Sequence, residues 1–205
     1  MTERKFLDTA YGLDDLEQTR TFYDDWAATY DAEIGENGYA TPRRCAQALA
    51  AAAADLEAPI LDLGCGTGLS GVALRAAGFS AVDGAEPSAE MRARAEQRGV
   101  YRALHPIEPE DPLPFAAGAY AHVVAAGVIS PGHAPPETVD KALAILPTGG
   151  CLVFSLNDHA LAEVEYPAKA DQVVTEGRAE LVHKEHGLHL PGIGLEATIY
   201  LLRKR

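Results

Sequence analysis

The sequence predicts an α/β domain built around a mostly parallel sheet with helices on both faces. Short apolar segments alternate with helical segments between residues 59 and 156, which is typical of parallel strands joined by helices. These strand segments are largely continuous in apolar character, as expected for strands buried on both faces. The last two strand segments, 178–186 and 195–203, are joined by a glycine- and proline-containing turn without room for a helix. We therefore expect them to form an antiparallel hairpin.

The pattern predicts seven strands and a single domain. The expected strands are residues 59–63, 79–85, 100–104, 121–127, 150–156, 178–186 and 195–203. The expected helices are residues 14–33, 42–55, 69–77, 88–98 and 135–146, with Thr41 and Ser88 as N-caps of the second and fourth. Residues 165–177 are expected to form either a sixth helix or an irregular insert. A chain of 205 residues suffices for one α/β domain and is short for two. Residues 1–56 are expected to form a helical segment over an α/β core of residues 57–205.

The composition of the chain disfavours several classes of binding partner. The chain is 47% hydrophobic and 23% charged, with a formal net charge of -13. Such an acidic surface repels phosphate backbones and anionic lipids, which disfavours nucleic acid and membranes as partners. The first residues lack the apolar core of a signal peptide, so we expect a cytoplasmic protein. The cysteines Cys45, Cys65 and Cys151 are scattered, which predicts neither disulfides nor a metal site, and no pattern indicates an oligomeric state.

A glycine-rich segment follows the first predicted strand. Residues 60–68 read Ile-Leu-Asp-Leu-Gly-Cys-Gly-Thr-Gly, so an acid, Asp62, stands near the end of the strand and alternate glycines follow it. Glycines at this place permit a tight turn and let a ligand approach the backbone closely. The helix that follows presents unpaired backbone N–H groups at its N-terminus. This arrangement indicates a binding loop for a small ligand.

The segment resembles the first motif of class I S-adenosylmethionine-dependent methyltransferases, and the order of elements is similar from about Phe22 to Arg205. Tyr-Asp pairs near the N-terminus further resemble the methyltransferase-like group linked to the Williams–Beuren region. The resemblance implies a Rossmann-like, doubly wound sheet with a helical lid, and S-adenosylmethionine as cofactor. It also implies that the loop lies under the methionyl part of the cofactor. The residues implied there are Asp62, Gly64, Cys65, Gly66 and Gly68.

A second acid, Glu86, stands twenty residues after Gly66 at the end of the next predicted strand. In the resembled family this position accepts hydrogen bonds from both ribose hydroxyls, and Asp is commoner there than Glu. A carboxylate has two oxygens, so either residue can accept from adjacent hydroxyls. Pro87 and Met91 are implied neighbours of the cofactor. The competing acid, Asp83, lies earlier, inside the strand.

Further positions are implied around the adenine and the methyl group. Glu108 matches an acid that accepts from the adenine amine, although a solvated loop acid is the alternative, since Glu110 and Asp111 stand beside it. Gly127 ends the fourth predicted strand and faces the methionine moiety in the family.

Aromatic residues of the first helix are candidates to cover the cofactor. Tyr23 and Tyr30 are the choices, because an aromatic face suits a sulfonium cation. The alternative is that these rings only pack, as an aromatic stripe at helical spacing usually does.

His133 is the candidate catalytic base, because it follows the fourth strand, where an acceptor is implied; a surface-loop histidine is the alternative. His159 and Tyr39 are weaker candidates. A base is needed only if the nucleophile is protonated. His183, His186 and His189 do not converge on an extended strand, so no metal site is predicted.

Methyl transfer from S-adenosylmethionine to an unidentified small-molecule acceptor, with S-adenosylhomocysteine as product, is the predicted function. An NAD-dependent oxidoreductase is one alternative, because residues 66–71 also fit G-x-G-x-x-G followed by an acid. Asp62, Glu108 and the terminal hairpin favour the first interpretation. A non-catalytic domain that binds the same cofactor is a further alternative.

Overall fold

A seven-stranded sheet forms the centre of the computed structural model, which describes residues 16–109 and 111–205. Its strands are β1 Ile60–Leu63, β2 Val82–Glu86, β3 Leu104–Pro106, β4 His122–Ala125, β5 Cys151–Asn157, β6 Ala179–Leu190 and β7 Leu195–Lys204. They lie in the order β3-β2-β1-β4-β5-β7-β6; β1 to β5 pair in parallel, and β7 runs antiparallel to both β5 and β6. The predicted fold class and its antiparallel hairpin are confirmed.

Helices cover both faces of the sheet. Their bounds are α1 Leu16–Trp26, α2 Tyr30–Glu36, α3 Thr41–Ala52, α4 Leu69–Ala76, α5 Ala89–Arg98, α6 Thr138–Ile145, α7 Asp158–Ala162 and α8 Glu165–Thr175, and a 3-10 turn spans Pro191–Ile193. No helix within the described ranges is long and apolar enough to cross a bilayer.

The alternation of side chains along β5 explains its continuous apolar sequence. Leu152 and Phe154 join the core cluster that contains α6, α7 and α8, whereas Val153 joins the cluster that contains α3 and α4. All three side chains are fully buried. Because successive residues of a strand point to opposite faces, a strand covered on both faces has no position for a polar residue exposed to solvent.

The predicted helix over residues 14–33 is wrong as a single element, and residues 14 and 15 lie outside the described part. The chain turns between Trp26 and Tyr30, so that α1 and α2 are separate helices. The turn brings two acids to different loops: Asp24 accepts a hydrogen bond from Ser88 Oγ, and Asp31 accepts one from Thr67 Oγ1. Tertiary hydrogen bonds therefore override the local helical pattern.

Thr41 is not an N-cap, contrary to the prediction. It is the first residue of α3, with Ala40 at the N-cap, and its Oγ1 lies 2.7 Å from Nδ1 of buried His189. Ser88, by contrast, caps α5 as expected, because its Oγ accepts a hydrogen bond from Met91 N. The hydroxyl of Thr41 is used for a contact between α3 and β6 instead of the local backbone.

Several other elements also differ from prediction. The third strand begins at Leu104, and Tyr101, predicted to lie within it, precedes the strand and donates a hydrogen bond to Asp62. The helix α7 was not predicted; its N-cap is Asn157, whose Oδ1 accepts from Ala160 N. β6 extends to Leu190, and register shifts between residues 181 and 183 and between residues 188 and 190 interrupt the alternation assumed for its histidines.

Leu202 on β7 and Leu181 on β6 are register partners with very different burial, which permits a matched comparison. Leu202 is fully buried, whereas Leu181 is 41% exposed. We expect Leu202→Ala to lower the free energy of unfolding by about 2–5 kcal/mol, because it leaves a cavity. Leu181→Ala should lower it by less than about 1 kcal/mol. Urea denaturation followed by circular dichroism measures both, and equal losses would contradict the assignment of β6 as the open edge.

Candidate functional site

A cavity of about 870 Å³ lies at the carboxyl ends of the parallel strands. Its walls come from the segments that follow β1, β2, β3 and β4, and from α1 and α2. The strand order reverses between β1 and β4, where connections leave in opposite directions along the sheet. In open α/β sheets this switch point is the usual place for a ligand.

The structure brings most of the candidate site residues to this cavity. Those that line it are Tyr23, Tyr30, Gly64, Cys65, Gly66, Glu86, Pro87, Met91, Glu108, Gly127 and His133. Asp62 and Gly68 are not among the lining residues. Gly68 is the N-cap of α4 with a φ of 94°, so it shapes the turn into the helix.

Asp62 lies beneath the glycine loop and is completely buried. Its Oδ2 accepts hydrogen bonds from Ser70 Oγ and from Tyr101 OH, both at 2.7 Å. Burial raises the pKa of Asp62 to about 6, although these two hydrogen bonds oppose the shift. Oδ1 is a buried acceptor without a hydrogen-bond partner among the described residues. Asp62 therefore joins the loop to the start of α4 and retains capacity for a further donor.

Glu86 ends β2 and bridges two loops of the cavity wall. Its Oε2 accepts from Gly66 N at 3.0 Å, and its Oε1 accepts from Ser88 N at 2.9 Å. The residue is 7% exposed. Burial raises the pKa of Glu86 to about 7, and the two backbone donors partly offset that shift. Each oxygen keeps acceptor capacity for a second donor from the cavity.

The wall that follows β3 is mostly apolar. Ile107, Pro109 and Leu113 line it together with Glu108, which is exposed. Lys141 of α6 donates a hydrogen bond from Nζ to Pro109 O at 2.6 Å and so ties this loop to the helix. Sequence analysis missed Lys141, because the two residues are 32 positions apart and share no local pattern.

Two Tyr-Asp pairs attach α1 and α2 to the cavity. In each pair the tyrosine, Tyr23 or Tyr30, lines the cavity, and the following aspartate binds a loop. Asp24 accepts from Ser88 Oγ; Asp31 accepts from Thr67 Oγ1 at 2.6 Å and pairs with Arg98. The repeated Tyr-Asp dipeptide was visible in the sequence, but the role of its acids was not predicted.

His133 lies in the segment that follows β4 and lines the cavity. Its Nε2 is 2.6 Å from Tyr23 OH, and its Nδ1 is 3.0 Å from Pro131 O and 3.1 Å from Ser130 Oγ. Burial lowers the pKa of His133, which favours the neutral imidazole. His133 is therefore held on both ring nitrogens, unlike a surface-loop histidine.

A smaller chamber of about 30 Å³ adjoins the cavity, since Tyr23, Tyr30, Tyr39, Gly127 and His133 line both. Tyr39 OH donates to Ala126 O at 3.3 Å. Gly127 is required beside it, because a Cβ there would lie 2.1 Å from the Tyr39 oxygen.

Two other expectations concern residues away from these chambers. His159, a weaker candidate, lines neither of them. The described residues include no cluster of His, Cys, Asp and Glu that could hold a metal ion.

The buried carboxyl of Glu86 makes stability depend on pH. Its pKa in the folded chain, about 7, exceeds its ordinary value of 4.5, so this group stabilises the fold at low pH and loses that contribution as pH rises through about 7. Between about pH 4.5 and pH 8, the free energy of unfolding of the ligand-free protein should therefore fall by about 2–3 kcal/mol more than that of Glu86→Gln. Urea denaturation at several pH values measures the difference.

Glu96 of α5 is exposed and supplies a control. The free energy of unfolding of Glu96→Gln should depend on pH in the same way as that of the unsubstituted chain. Parallel curves for Glu86→Gln and the unsubstituted protein would contradict a raised pKa at Glu86.

Comparison with known proteins relates this geometry to a family. A family described as a methyltransferase domain matches residues 38–191. Human methyltransferase-like protein 27 is 34% identical over 157 residues, which cover 74% of this chain and 64% of that protein. The chain thus matches less than two thirds of the length of this relative.

Solved structures share the fold at low sequence identity. A 1,6-didemethyltoxoflavin-N1-methyltransferase from Burkholderia thailandensis, solved with 1,6-didemethyltoxoflavin and S-adenosylhomocysteine, superposes with a TM-score of 0.64 at 18% identity, covering 92% of this chain and 89% of that one. A TehB-like S-adenosylmethionine-dependent methyltransferase from Corynebacterium glutamicum gives a TM-score of 0.62 at 19% identity, covering 90% and 99%. The domain match and the human relative, together with the fold, establish that the chain belongs to the class I S-adenosylmethionine-dependent methyltransferases.

Proposed function

We propose that this chain transfers a methyl group from S-adenosylmethionine to a small-molecule acceptor, with S-adenosylhomocysteine as product. The observation that carries the proposal is the Glu86 carboxylate, which stands at the switch-point cavity between the glycine loop and the start of α5. When bound, the cofactor supplies an electrophilic methyl group and takes the electron pair of the broken carbon–sulfur bond. The residues of the chain bind the cofactor and the acceptor, orient them for transfer, and exclude water from the site.

The polar groups of the site fit such a cofactor. Glu86 has acceptor capacity for two adjacent ribose hydroxyls, and donors there would compensate the burial that raises its pKa. Asp62 Oδ1 is a buried acceptor without a partner among the described residues, which suits a donor reaching the glycine loop. Tyr23 and Tyr30 line the cavity, and the face of an aromatic ring attracts a sulfonium.

The remaining assignments follow from position. Gly64, Cys65 and Gly66 would lie along the methionyl part, with Gly68 holding the turn. Pro87, Met91 and Glu108 would border the ribose and adenine, and Gly127 would lie near the methyl group. These residues, Gly68 excepted, line the same cavity.

A small acceptor is proposed because the cavity is covered by α1 and α2 and has a volume typical of ligand sites. The Burkholderia relative of similar fold binds 1,6-didemethyltoxoflavin together with S-adenosylhomocysteine, which supports an acceptor of that size class. The net charge of -13 disfavours nucleic acid and membranes as substrates.

We also propose that residues 1–205 act as one domain, with residues up to 56 as its lid, and that the protein is cytoplasmic. The residues of α1 and α2 reach the cavity itself, which supports a lid role. The cysteines Cys45, Cys65 and Cys151 are free and buried, as suits a reducing compartment.

Calorimetric titration with S-adenosylmethionine, S-adenosylhomocysteine and NAD tests the cofactor. Binding of both sulfur compounds without NAD is expected. Glu86→Ala should weaken S-adenosylhomocysteine binding by roughly 1.5–3 kcal/mol, because charge-assisted hydrogen bonds are lost. The matched control Glu96→Ala removes an exposed carboxylate of α5 and should leave the affinity unchanged.

Binding of NAD alone would overturn the proposal and favour an oxidoreductase. Unchanged affinity in folded Glu86→Ala would remove Glu86 from the site. Labelled-methyl transfer to an acceptor panel then distinguishes an enzyme from a domain that only binds the cofactor.

A further inference from the structure

Tyr101 lies between α5 and β3 and makes polar contacts beneath the glycine loop. Its hydroxyl donates a hydrogen bond to Asp62 Oδ2 at 2.7 Å and accepts one from Gly71 N at 3.1 Å. Ser70 Oγ donates to the same carboxylate oxygen, also at 2.7 Å. The phenol therefore joins the strand β1 to the first turn of α4, across 39 positions to Asp62 and 30 to Gly71.

The hydroxyl of Tyr101 serves as a cap for α4 that comes from elsewhere in the chain. Gly68 stands at the N-cap of this helix and has no side chain to accept a hydrogen bond. The first N–H groups of a helix lack partners within the helix, and Tyr101 supplies an acceptor for that of Gly71. A carboxylate can only accept hydrogen bonds, so the phenolic proton is directed to Asp62.

Glycines make room for the ring of Tyr101. A Cβ at Gly71 would overlap the Tyr101 hydroxyl, and a Cβ at Gly68 or Gly84 would lie 3.2 or 3.3 Å from atoms of the ring. Gly71 is not among the glycines with a positive φ, so its backbone conformation does not require glycine. The close approach of Tyr101 explains why the glycine pattern of residues 66–71 ends with Gly71.

Asp62 is a buried carboxylate whose donors, among the residues that the structure describes, are neutral hydroxyls. Ser70 and Tyr101 both donate to Oδ2, and Oδ1 has no partner. Burial raises the pKa of Asp62 to about 6, and the hydrogen bond from Tyr101 is the larger of the two that oppose this shift. The phenol is therefore the main support of the ionised form of Asp62.

The titratable groups that act on Asp62 come from several segments packed around it. They are Cys45 of α3, Cys65 of the glycine loop, Glu86 at the end of β2, and Tyr101. Burial raises the pKa of both thiols and of the phenol, so these three groups are uncharged near pH 7. Glu86 is a second acid. Ionised Asp62 thus makes the underside of the loop negative, and such a charge in the interior attracts a cation on the cavity side.

We propose that Tyr101 is a positioning residue for the cofactor, and that it acts through Asp62. This inference rests on the proposed function. The hydrogen bond from Tyr101 holds Asp62 in its ionised form and occupies Oδ2, which leaves Oδ1 and the negative charge for an ammonium group at the glycine loop. Tyr101 does not line the cavity, so it favours ligands with an amine without touching them.

Calorimetry with three adenosine thioethers tests this role. S-adenosylhomocysteine carries an amine and a carboxylate, S-adenosyl-3-thiopropylamine carries only the amine, and 5′-methylthioadenosine carries neither. Tyr101→Phe should weaken binding of both amines about tenfold near pH 7, because Asp62 loses a donor that supports its charge. Binding of 5′-methylthioadenosine should change by less than about twofold, since this ligand has no ammonium group.

Tyr120→Phe is the matched control. Tyr120 OH donates to Asp83 Oδ2 at 3.1 Å, and neither of these residues lines the cavity. This variant also removes a phenol from a carboxylate, and it should leave the affinity for all three ligands unchanged. Unchanged binding of the amines by Tyr101→Phe would overturn the proposal. Equal weakening or loss of all three ligands would also overturn it, because Tyr101 would then support the loop or the fold in general.

Nuclear magnetic resonance of the unsubstituted chain tests the same link without a variant. With carbon-13 at Cζ of tyrosine, the signal of Tyr101 should follow the titration of Asp62, with a midpoint near pH 6 in the ligand-free protein. S-adenosylhomocysteine should lower this midpoint by about one pH unit or more, because its ammonium favours the carboxylate. 5′-Methylthioadenosine should lower it less. A signal that does not titrate between pH 4.5 and 7.5 without ligand, or that responds equally to both ligands, would contradict the proposal.

The outcomes distinguish the two levels of inference. If neither S-adenosylhomocysteine nor 5′-methylthioadenosine binds the unsubstituted chain, the proposed function fails. If both bind and Tyr101→Phe does not discriminate between them, only the role of Tyr101 fails.

Discussion

The bridge that Glu86 forms between two loops is the interaction on which the cavity depends. Parallel pairing places Leu63 beside Ala85, so the glycine loop and the end of β2 emerge at the same edge. Glu86 then accepts one backbone hydrogen from Gly66 and another from Ser88. A buried carboxylate without these donors would be strongly disfavoured, and even with them its pKa stays raised. The same residue thus fixes the shape of the site and retains a demand for further donors.

The helices α1 and α2 are attached to the two loops that Glu86 bridges. Asp24 of α1 binds Ser88, which also caps α5, and Asp31 of α2 binds Thr67 of the glycine loop. Because each aspartate directly follows a tyrosine of the cavity wall, attachment of the helix and placement of the ring are coupled. Displacement of α1 and α2 would break hydrogen bonds to both loops, so the placement of these helices and the geometry of the loops are linked.

Local sequence was sufficient for the fold class, and most of the candidate site residues that it named line the cavity. The alternation of apolar segments and helices predicted the parallel sheet, and the glycine- and proline-containing turn near the end of the chain, too short for a helix, predicted the hairpin of β6 and β7. Glu86 was named from the resemblance of its strand end to a family motif, and the parallel sheet places that strand end beside the glycine-rich loop, at the same edge. Such features lie within a few tens of residues and repeat with the period of a strand or a helix.

Only the tertiary structure decided which residues far apart in the chain are in contact. Thr41 binds His189 across 148 positions instead of capping its helix, and Tyr101 donates to Asp62 across 39 positions. The sequence named both Tyr23 and His133, but not that they touch. A long-range hydrogen bond leaves no periodic pattern, because its partners are chosen by the packing of whole elements. The sequence by itself therefore determined the sheet and the loop chemistry, while packing decided which side chains act together.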